Sequence, residues 1–168
     1  AVLFRPAHFY RHLATRPTID RSSLFARLHW LLAAILIGFG VFVHTRITDG
    51  SETMGIIGAG PVVPAMITYV LLELITLAAA RLTAWEAAYR GLRLPPRAVR
   101  RGLHFHAAHY LPVGLLFLGT VVGYESTRFG GMEVTTYLYI LCAQVIVVAA
   151  YLFNTYWIGM RNMMYANR

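Results

Sequence analysis

Apolar residues gather in four long blocks along this chain, separated by short polar segments. The blocks cover residues about 24–45, 61–80, 103–124 and 134–158. A block of about 18 or more mostly apolar residues is long enough to cross the hydrocarbon core of a bilayer as an α-helix. We therefore predict an all-α integral membrane protein, a bundle of four transmembrane helices. A basic N-terminal arm (residues 1–23) precedes the bundle (residues 24–160), and a short tail (residues 161–168) follows it.

Composition supports a membrane protein and argues against a nucleic-acid-binding one. Hydrophobic residues make up 58% of the 168 residues and charged residues 13%, whereas a soluble domain carries about 25% charged residues. The formal net charge of +8 comes from arginine alone, because the chain has no lysine. The arginines flank the apolar blocks and form no patch on a soluble face, so we predict no nucleic-acid partner. The single cysteine, Cys142, excludes an intrachain disulfide.

Arginine is distributed unevenly between the two sides of the predicted bundle. Six arginines and a single acidic residue lie in the loop between spans two and three, from Arg81 to Arg101. The arm and the tail are also basic, whereas each opposite loop combines one arginine with two acidic residues. By the positive-inside rule, both termini and this loop face the cytoplasm or the mitochondrial matrix. The predicted location is a bacterial or mitochondrial inner membrane, crossed several times.

Local signals add detail to the helices. The segment from Trp85 to Tyr89 predicts a short helix at the membrane surface, before the break at Pro95 and Pro96. Pro112 lies inside span three, where proline is tolerated and kinks the helix. Small residues in spans one and three predict close contacts between helices. These residues are Gly38, Gly40, Gly114, Gly119 and Gly123.

Histidines cluster where spans one and three begin. His29 opens span one, and His104, His106 and His109 open span three, so they lie at comparable depth near the positive side. His106 and His109 are three residues apart and share a helix face. Two imidazoles facing each other across a bundle can bind a haem iron, which makes His29 and His109 or His106 candidate ligands. The alternative is that each imidazole hydrogen-bonds lipid, water or backbone at the headgroup level.

Glu73 is the one acidic residue inside a predicted span. It lies about 12 Å along the helix from the positive end of span two, at a depth that His109 also reaches. A carboxylate at this depth can hold an imidazole, move protons or bind a quinone carbonyl, or it can form a structural hydrogen bond between helices. Gln144 and Asn154 in span four are predicted to hydrogen-bond between helices.

The string Arg-Leu-His-Trp-Leu-Leu, from Arg27 to Leu32, resembles the first helix of four-helix b-type cytochromes of the cytochrome b561 type. The string from Gly102 to His109 resembles the third helix of that family. The resemblance implies a four-helix bundle with both ends inside and His29 as an axial haem ligand. The family also takes haem ligands from its second and fourth helices, and here those spans contain no histidine. It therefore implies a single haem, with His106 or His109 as the partner.

A second string is similar to the N-terminal region of the membrane anchors of succinate dehydrogenase. It comprises Arg5, Pro6, His8 and Tyr10, followed by two serines and His29. Those anchors have three spans, whereas four are predicted here. The resemblance points to the same class of protein, a quinone-linked respiratory membrane subunit.

Three functions remain open from the sequence. The leading interpretation is a membrane electron-transfer subunit of a respiratory or other energy-converting complex, without catalytic activity of its own, which binds one b-type haem and is linked to quinone. The alternative is a cofactor-free structural subunit of a respiratory or ATP-synthase complex. Its basic arm and the loop from Arg81 to Arg101 would bind partner subunits or an anionic lipid such as cardiolipin. The third interpretation is a small transporter or proton channel centred on Glu73.

Overall fold

Helices account for all the regular structure in the described part of the chain, which a computed structural model gives as residues 2–13, 21–49, 60–92, 94–127 and 131–165. In chain order the helices are α1 (Pro6–Leu13), α2 (Ser22–Asp49), α3 (Val62–Tyr89), α4 (Pro96–His106), α5 (Tyr110–Thr127) and α6 (Val134–Tyr165). A short 3₁₀ turn, Ala107–His109, joins α4 to α5.

Four helical segments are long and apolar enough to cross a membrane. They are Ser22–Thr48, Val62–Tyr89, Pro96–Thr127 and Val134–Met164. This confirms the predicted all-helical fold with four helices capable of spanning a bilayer. Of the arginines that entered the charge count, Arg16, Arg93, Arg128 and Arg168 lie outside the described residues.

The N-terminal arm contains a helix that packs against the bundle. Helix α1 lies on the last turns of α6. There the fully buried Tyr10 ring packs against Gly159, and a Cβ added to this glycine would lie 2.9 Å from the ring. Tyr10 shares a buried cluster with Met160 and Met163 of α6 and with Leu103 of α4. Helix α1, the connection between α3 and α4, and the last turns of α6 therefore form one end of the bundle. We call it the arginine-rich end.

Helix α3 ends at a glycine rather than at the edge of its apolar block. The segment from Trp85 to Tyr89, expected to form a separate surface helix, continues α3 without a break. The helix stops at Gly91, whose positive φ of 68° suits a residue without a Cβ. The amide of Leu92 donates to the Ala87 carbonyl and the amide of Gly91 to Ala88, the hydrogen-bond pair of a Schellman motif.

The third span is interrupted where α4 meets α5. Pro112 has no amide hydrogen to donate to the carbonyl of Ala108, and its ring crowds that carbonyl. The 3₁₀ turn Ala107–His109 occupies this position, one turn before the proline. The predicted effect of Pro112 is therefore seen as a local change of helix type. This change sets the directions of the histidines on either side of it.

Helix α2 is the centre of the bundle and packs closely against α3 and α5. A Cβ added at Gly38 would lie 2.5 Å from the backbone nitrogen of Ala65 in α3. A Cβ added at Gly114 of α5 would lie 3.1 Å from the Cβ of Leu36 and 3.4 Å from the carbonyl oxygen of Ala33. The prediction of close helix contacts is thus confirmed at these two glycines and at Gly40, where an added Cβ would lie 2.7 Å from the Phe117 ring of α5. It is wrong at Gly119 and Gly123, where an added Cβ would meet no described atom within 4 Å.

Helix α6 touches the rest of the bundle mainly near its two ends. At the arginine-rich end it packs on α1 and α4. At the other end Tyr137 is fully buried, stacks on Tyr124 of α5 and hydrogen-bonds His44 of α2 across 2.7 Å. Helix α6 packs less closely against α5 than against α1 and α4. This arrangement leaves apolar space between α6 and the other helices.

Candidate functional site

His106 and His109 lie together at the break in the third span. Their ring centroids are 4.9 Å apart, and both side chains are buried, with His109 fully so. Both rings lie near tyrosines of α6, since His109 contacts Tyr151 and His106 contacts Tyr156. The structure therefore brings these two predicted site residues together, on the side of the third span that faces α6.

His109 is held by a hydrogen bond to α6. Its Nδ1 lies 2.7 Å from the hydroxyl oxygen of Tyr151. Its Nε2 is buried and has no hydrogen-bond partner among the described residues. The Tyr151 contact fixes the orientation of the His109 ring, and this ring in turn packs beside that of His106.

His106 lines a cavity of about 420 Å³. The walls of this cavity come from helices α2, α3, α4, α5 and α6. Its Nδ1 is buried, and no described residue provides it with a hydrogen-bond partner. A buried polar atom without a partner costs about 1–3 kcal/mol, so such atoms are uncommon unless a ligand or water satisfies them. His106 is thus a cavity-lining residue with a hydrogen-bonding atom that no described residue uses.

The walls of the cavity are otherwise mostly apolar. The apolar lining residues are Ile37, Leu72, Ile75, Ala79, Leu82, Leu103, Val113, Leu152 and Phe153. Thr76, Tyr110 and Tyr156 add hydroxyl groups. An apolar pocket of this size with a few polar groups is typical of sites for small organic ligands.

A second apolar cavity of about 460 Å³ adjoins the first. The two share Ile37, Val113 and Leu152 as lining residues. The second cavity continues between α5 and α6 toward Gln144, whose side-chain oxygen accepts a hydrogen bond from Thr120 at 2.8 Å. This hydrogen bond confirms the prediction for Gln144. The two cavities therefore lie side by side, and we call the pair the apolar slot; His106 lines the part nearer the arginine-rich end.

Tyr156 closes the slot toward the arginine-rich end. Its hydroxyl lies 2.7 Å from Oγ1 of Thr83 in a hydrogen bond that joins α6 to α3. Neither Tyr151 nor Tyr156 was predicted as a site residue. The available signal was that these two of the four tyrosines in the fourth apolar block lie in its second half, at the depth of His106 and His109.

His29 has different neighbours from the other predicted haem ligands. Its Nδ1 donates to the carbonyl of Phe25 at 2.8 Å, and its ring stacks on the Phe25 ring. Neither His106 nor His109 is among the rings that contact it in the described residues. The Phe25 hydrogen bond leaves Nε2 of His29 as the atom available to a ligand.

A haem shared by His29 and His106 or His109 does not fit this packing. The ligand atoms suit iron, because an imidazole whose Nδ1 is hydrogen-bonded binds a metal through Nε2. The space does not, because α2 and the third span are in direct contact. Ala26 and Ala33 of α2 form one buried cluster with Ala107 and Tyr110. Haem ligation by this pair would require α2 to separate from the third span.

Glu73 is half-buried on α3 and does not bind His109. The hydrogen bond of His109 goes to Tyr151, and its second nitrogen has no partner among the described residues. Glu73 is also absent from the residues that line the two apolar cavities. The expected Glu73–His109 contact is therefore replaced by a tyrosine contact from α6.

The comparisons with known proteins found no match. No protein-family model, no curated protein and no solved structure matches this chain.

Proposed function

We propose that this chain is a quinone-binding membrane subunit of an electron-transfer complex, with the quinone headgroup in the cavity lined by His106. The observation that supports this most strongly is His106 itself, which lines an apolar cavity and has a buried Nδ1 without a partner within the described residues. Ionisable groups at such depth in a membrane protein are costly and usually serve function.

The chemistry of a quinone suits these walls. A quinone headgroup is flat and apolar apart from carbonyl oxygens, which accept hydrogen bonds. The imidazole of His106 can donate one such bond from the nitrogen that carries its proton. Tyr110 also lines the cavity, but its hydroxyl hydrogen-bonds Thr76, so His106 is the donor on which the proposal rests. The remaining walls, which are aliphatic or aromatic, pack against the ring faces.

The isoprenoid tail of a quinone suits the adjoining cavity. That cavity has walls from Val41, Phe117, Leu141 and Val148, among other apolar residues. Because it shares lining residues with the first, a tail can pass from one to the other without crossing a polar group. A soluble aromatic ligand would not use this second space, so the slot favours a lipid-soluble ligand.

Reduction of a quinone to a quinol takes up two electrons and two protons. In this proposal a redox centre in a partner subunit supplies the electrons, and His106 holds the carbonyl oxygen that becomes protonated. The chain would therefore act within a complex in an energy-converting inner membrane, not as an enzyme by itself.

The test is a titration of the purified full-length protein in detergent with a short-chain quinone. Ala79→Phe places a ring into the cavity lined by His106 and should abolish measurable binding. Ala150→Phe adds the same ring to an exposed position of α6 and should leave affinity unchanged. Equal affinity in both variants would contradict the proposal.

Haem is the second candidate cofactor. It is supported by the Nε2 atoms of His29 and His109, since each ring is held through Nδ1. It requires a wider gap between α2 and the third span than the buried alanines leave. A reduced-minus-oxidised absorption spectrum of the protein purified in its native complex tests it directly. An α-band that disappears in His29→Ala would favour haem. A flat spectrum would exclude haem and leave quinone as the only candidate cofactor.

A further inference from the structure

A third cavity, of about 280 Å³, lies between α3 and α6 at the arginine-rich end. Glu86 and Arg90 of α3 form one wall, and Trp157, Met160 and Arg161 of α6 form the other. We propose that this cavity binds the phosphate of an anionic phospholipid. The proposal goes beyond quinone binding and does not depend on it.

The charges around the cavity favour an anionic headgroup. Arg90 and Glu86 form an ion pair at 2.6 Å, yet half of the Arg90 side chain (50%) stays exposed. Arg161 adds an exposed guanidinium from the opposite wall. Two guanidinium groups therefore line the cavity from opposite sides. Guanidinium binds phosphate oxygens with two parallel hydrogen bonds, and basic pockets between membrane helices bind anionic lipid headgroups.

The surface beside the cavity is layered as a phospholipid is. Trp157 stacks on Phe153, one turn further from the arginine-rich end, and Trp85 stacks on Tyr89 on the α3 side. Aromatic residues of this kind sit at the level between headgroups and acyl chains. Further along the same helices, the side chains of Leu82 and Phe153 are 64% and 65% exposed.

Guanidinium, aromatic and aliphatic groups therefore follow one another along this groove. A lipid phosphate would lie at the arginines, its glycerol backbone beside Trp157, and an acyl chain against Leu82 and Phe153. A free phosphate ion would use only the first of these layers. The acyl-chain surface is the reason to assign the site to a phospholipid.

The experiment measures lipid binding to the purified full-length protein by native mass spectrometry. Phosphatidylglycerol and phosphatidylcholine with identical acyl chains are compared. The double variant Arg90→Gln/Arg161→Gln should lose phosphatidylglycerol affinity by about fivefold for each arginine removed. Its matched control is Arg97→Gln/Arg100→Gln, which removes the same charge from exposed positions on α4. The control should bind phosphatidylglycerol like the unchanged protein.

Several outcomes would overturn the proposal. An equal loss in the two double variants would mean that diffuse charge, and not this cavity, attracts the lipid. Equal binding of the two lipids would remove the role of the anionic headgroup. Inorganic phosphate that displaces phosphatidylglycerol at similar concentration would assign the site to a free anion. If the double variant does not fold, Arg161→Gln alone replaces it, and unchanged affinity in that variant would also contradict the site.

Discussion

Replacing His106 by leucine should raise stability and weaken quinone binding at the same time. The Nδ1 of His106 is buried with no partner among the described residues, an arrangement that costs about 1–3 kcal/mol. Leucine removes the polar atom and fills similar volume in an apolar cavity. The ligand-free variant should therefore be more stable by about 1 kcal/mol. Quinone affinity should fall about fivefold, because one hydrogen bond is worth about 1 kcal/mol.

His109→Leu is the matched control, since it makes the same change three residues away in the sequence. Here Nε2 is likewise buried without a partner among the described residues, but Nδ1 has one, and losing the imidazole also leaves the Tyr151 hydroxyl without its partner. This variant should therefore be less stable than His106→Leu by about 1–2 kcal/mol. Thermal unfolding in detergent, followed by circular dichroism without added quinone, measures both changes. If His106→Leu is destabilised as much as His109→Leu, then His106 is a structural residue and the reasoning is refuted.

Three further predictions concern packing and pH. Gly38→Ala should destabilise the bundle by about 1–3 kcal/mol, because the added Cβ meets the backbone of α3. Gly119→Ala is the control and should not destabilise it, because its added Cβ meets no described atom within 4 Å. Thermal unfolding compares the two variants. Tyr137→Phe should cost about 1 kcal/mol by removing the hydrogen bond to His44, and the same melts would show no change if that bond is absent. Burial raises the pKa of the Tyr10 phenol. The neutral phenol therefore stabilises the fold fully below its pKa in the unfolded chain, about 10, and this stabilisation is lost as pH rises above that pKa. Proteolysis within α1 should therefore increase at high pH in the unchanged protein but less in Tyr10→Phe, and equal increases would contradict this.

The membrane-spanning helices could be predicted because bilayer thickness requires long apolar blocks, and such blocks are visible in a sequence. The ends of the helices follow other rules. Helix α3 continues through Trp85 to Tyr89 because no residue before Gly91 stops it, although its apolar block ends earlier. The contact of α1 with α6 was also not predicted, because the apolar face of a short amphipathic segment suits a membrane surface as well as another helix.

The candidate site was predicted only in part for a related reason. The positions of His106 and His109 were correctly taken as neighbours, since three residues separate them on a helix. Their partners come from α6, a helix that is apolar on nearly every side, so its sequence does not indicate which face meets the third span. The 3₁₀ turn Ala107–His109 also replaces the regular α-helical spacing assumed at these histidines. For these reasons the expected contacts with His29 and Glu73 gave way to contacts with Tyr151 and Tyr156.

The most direct test of the central claim is photoaffinity labelling of the full-length protein in membranes with an azido-quinone, with the labelled residues identified by mass spectrometry. The account predicts labels on cavity-lining residues around His106 on the third span and around Tyr156 on α6, and predicts that excess unlabelled quinone removes them. Labels spread over the exposed apolar faces of α3 and α6, unaffected by excess quinone, would contradict it.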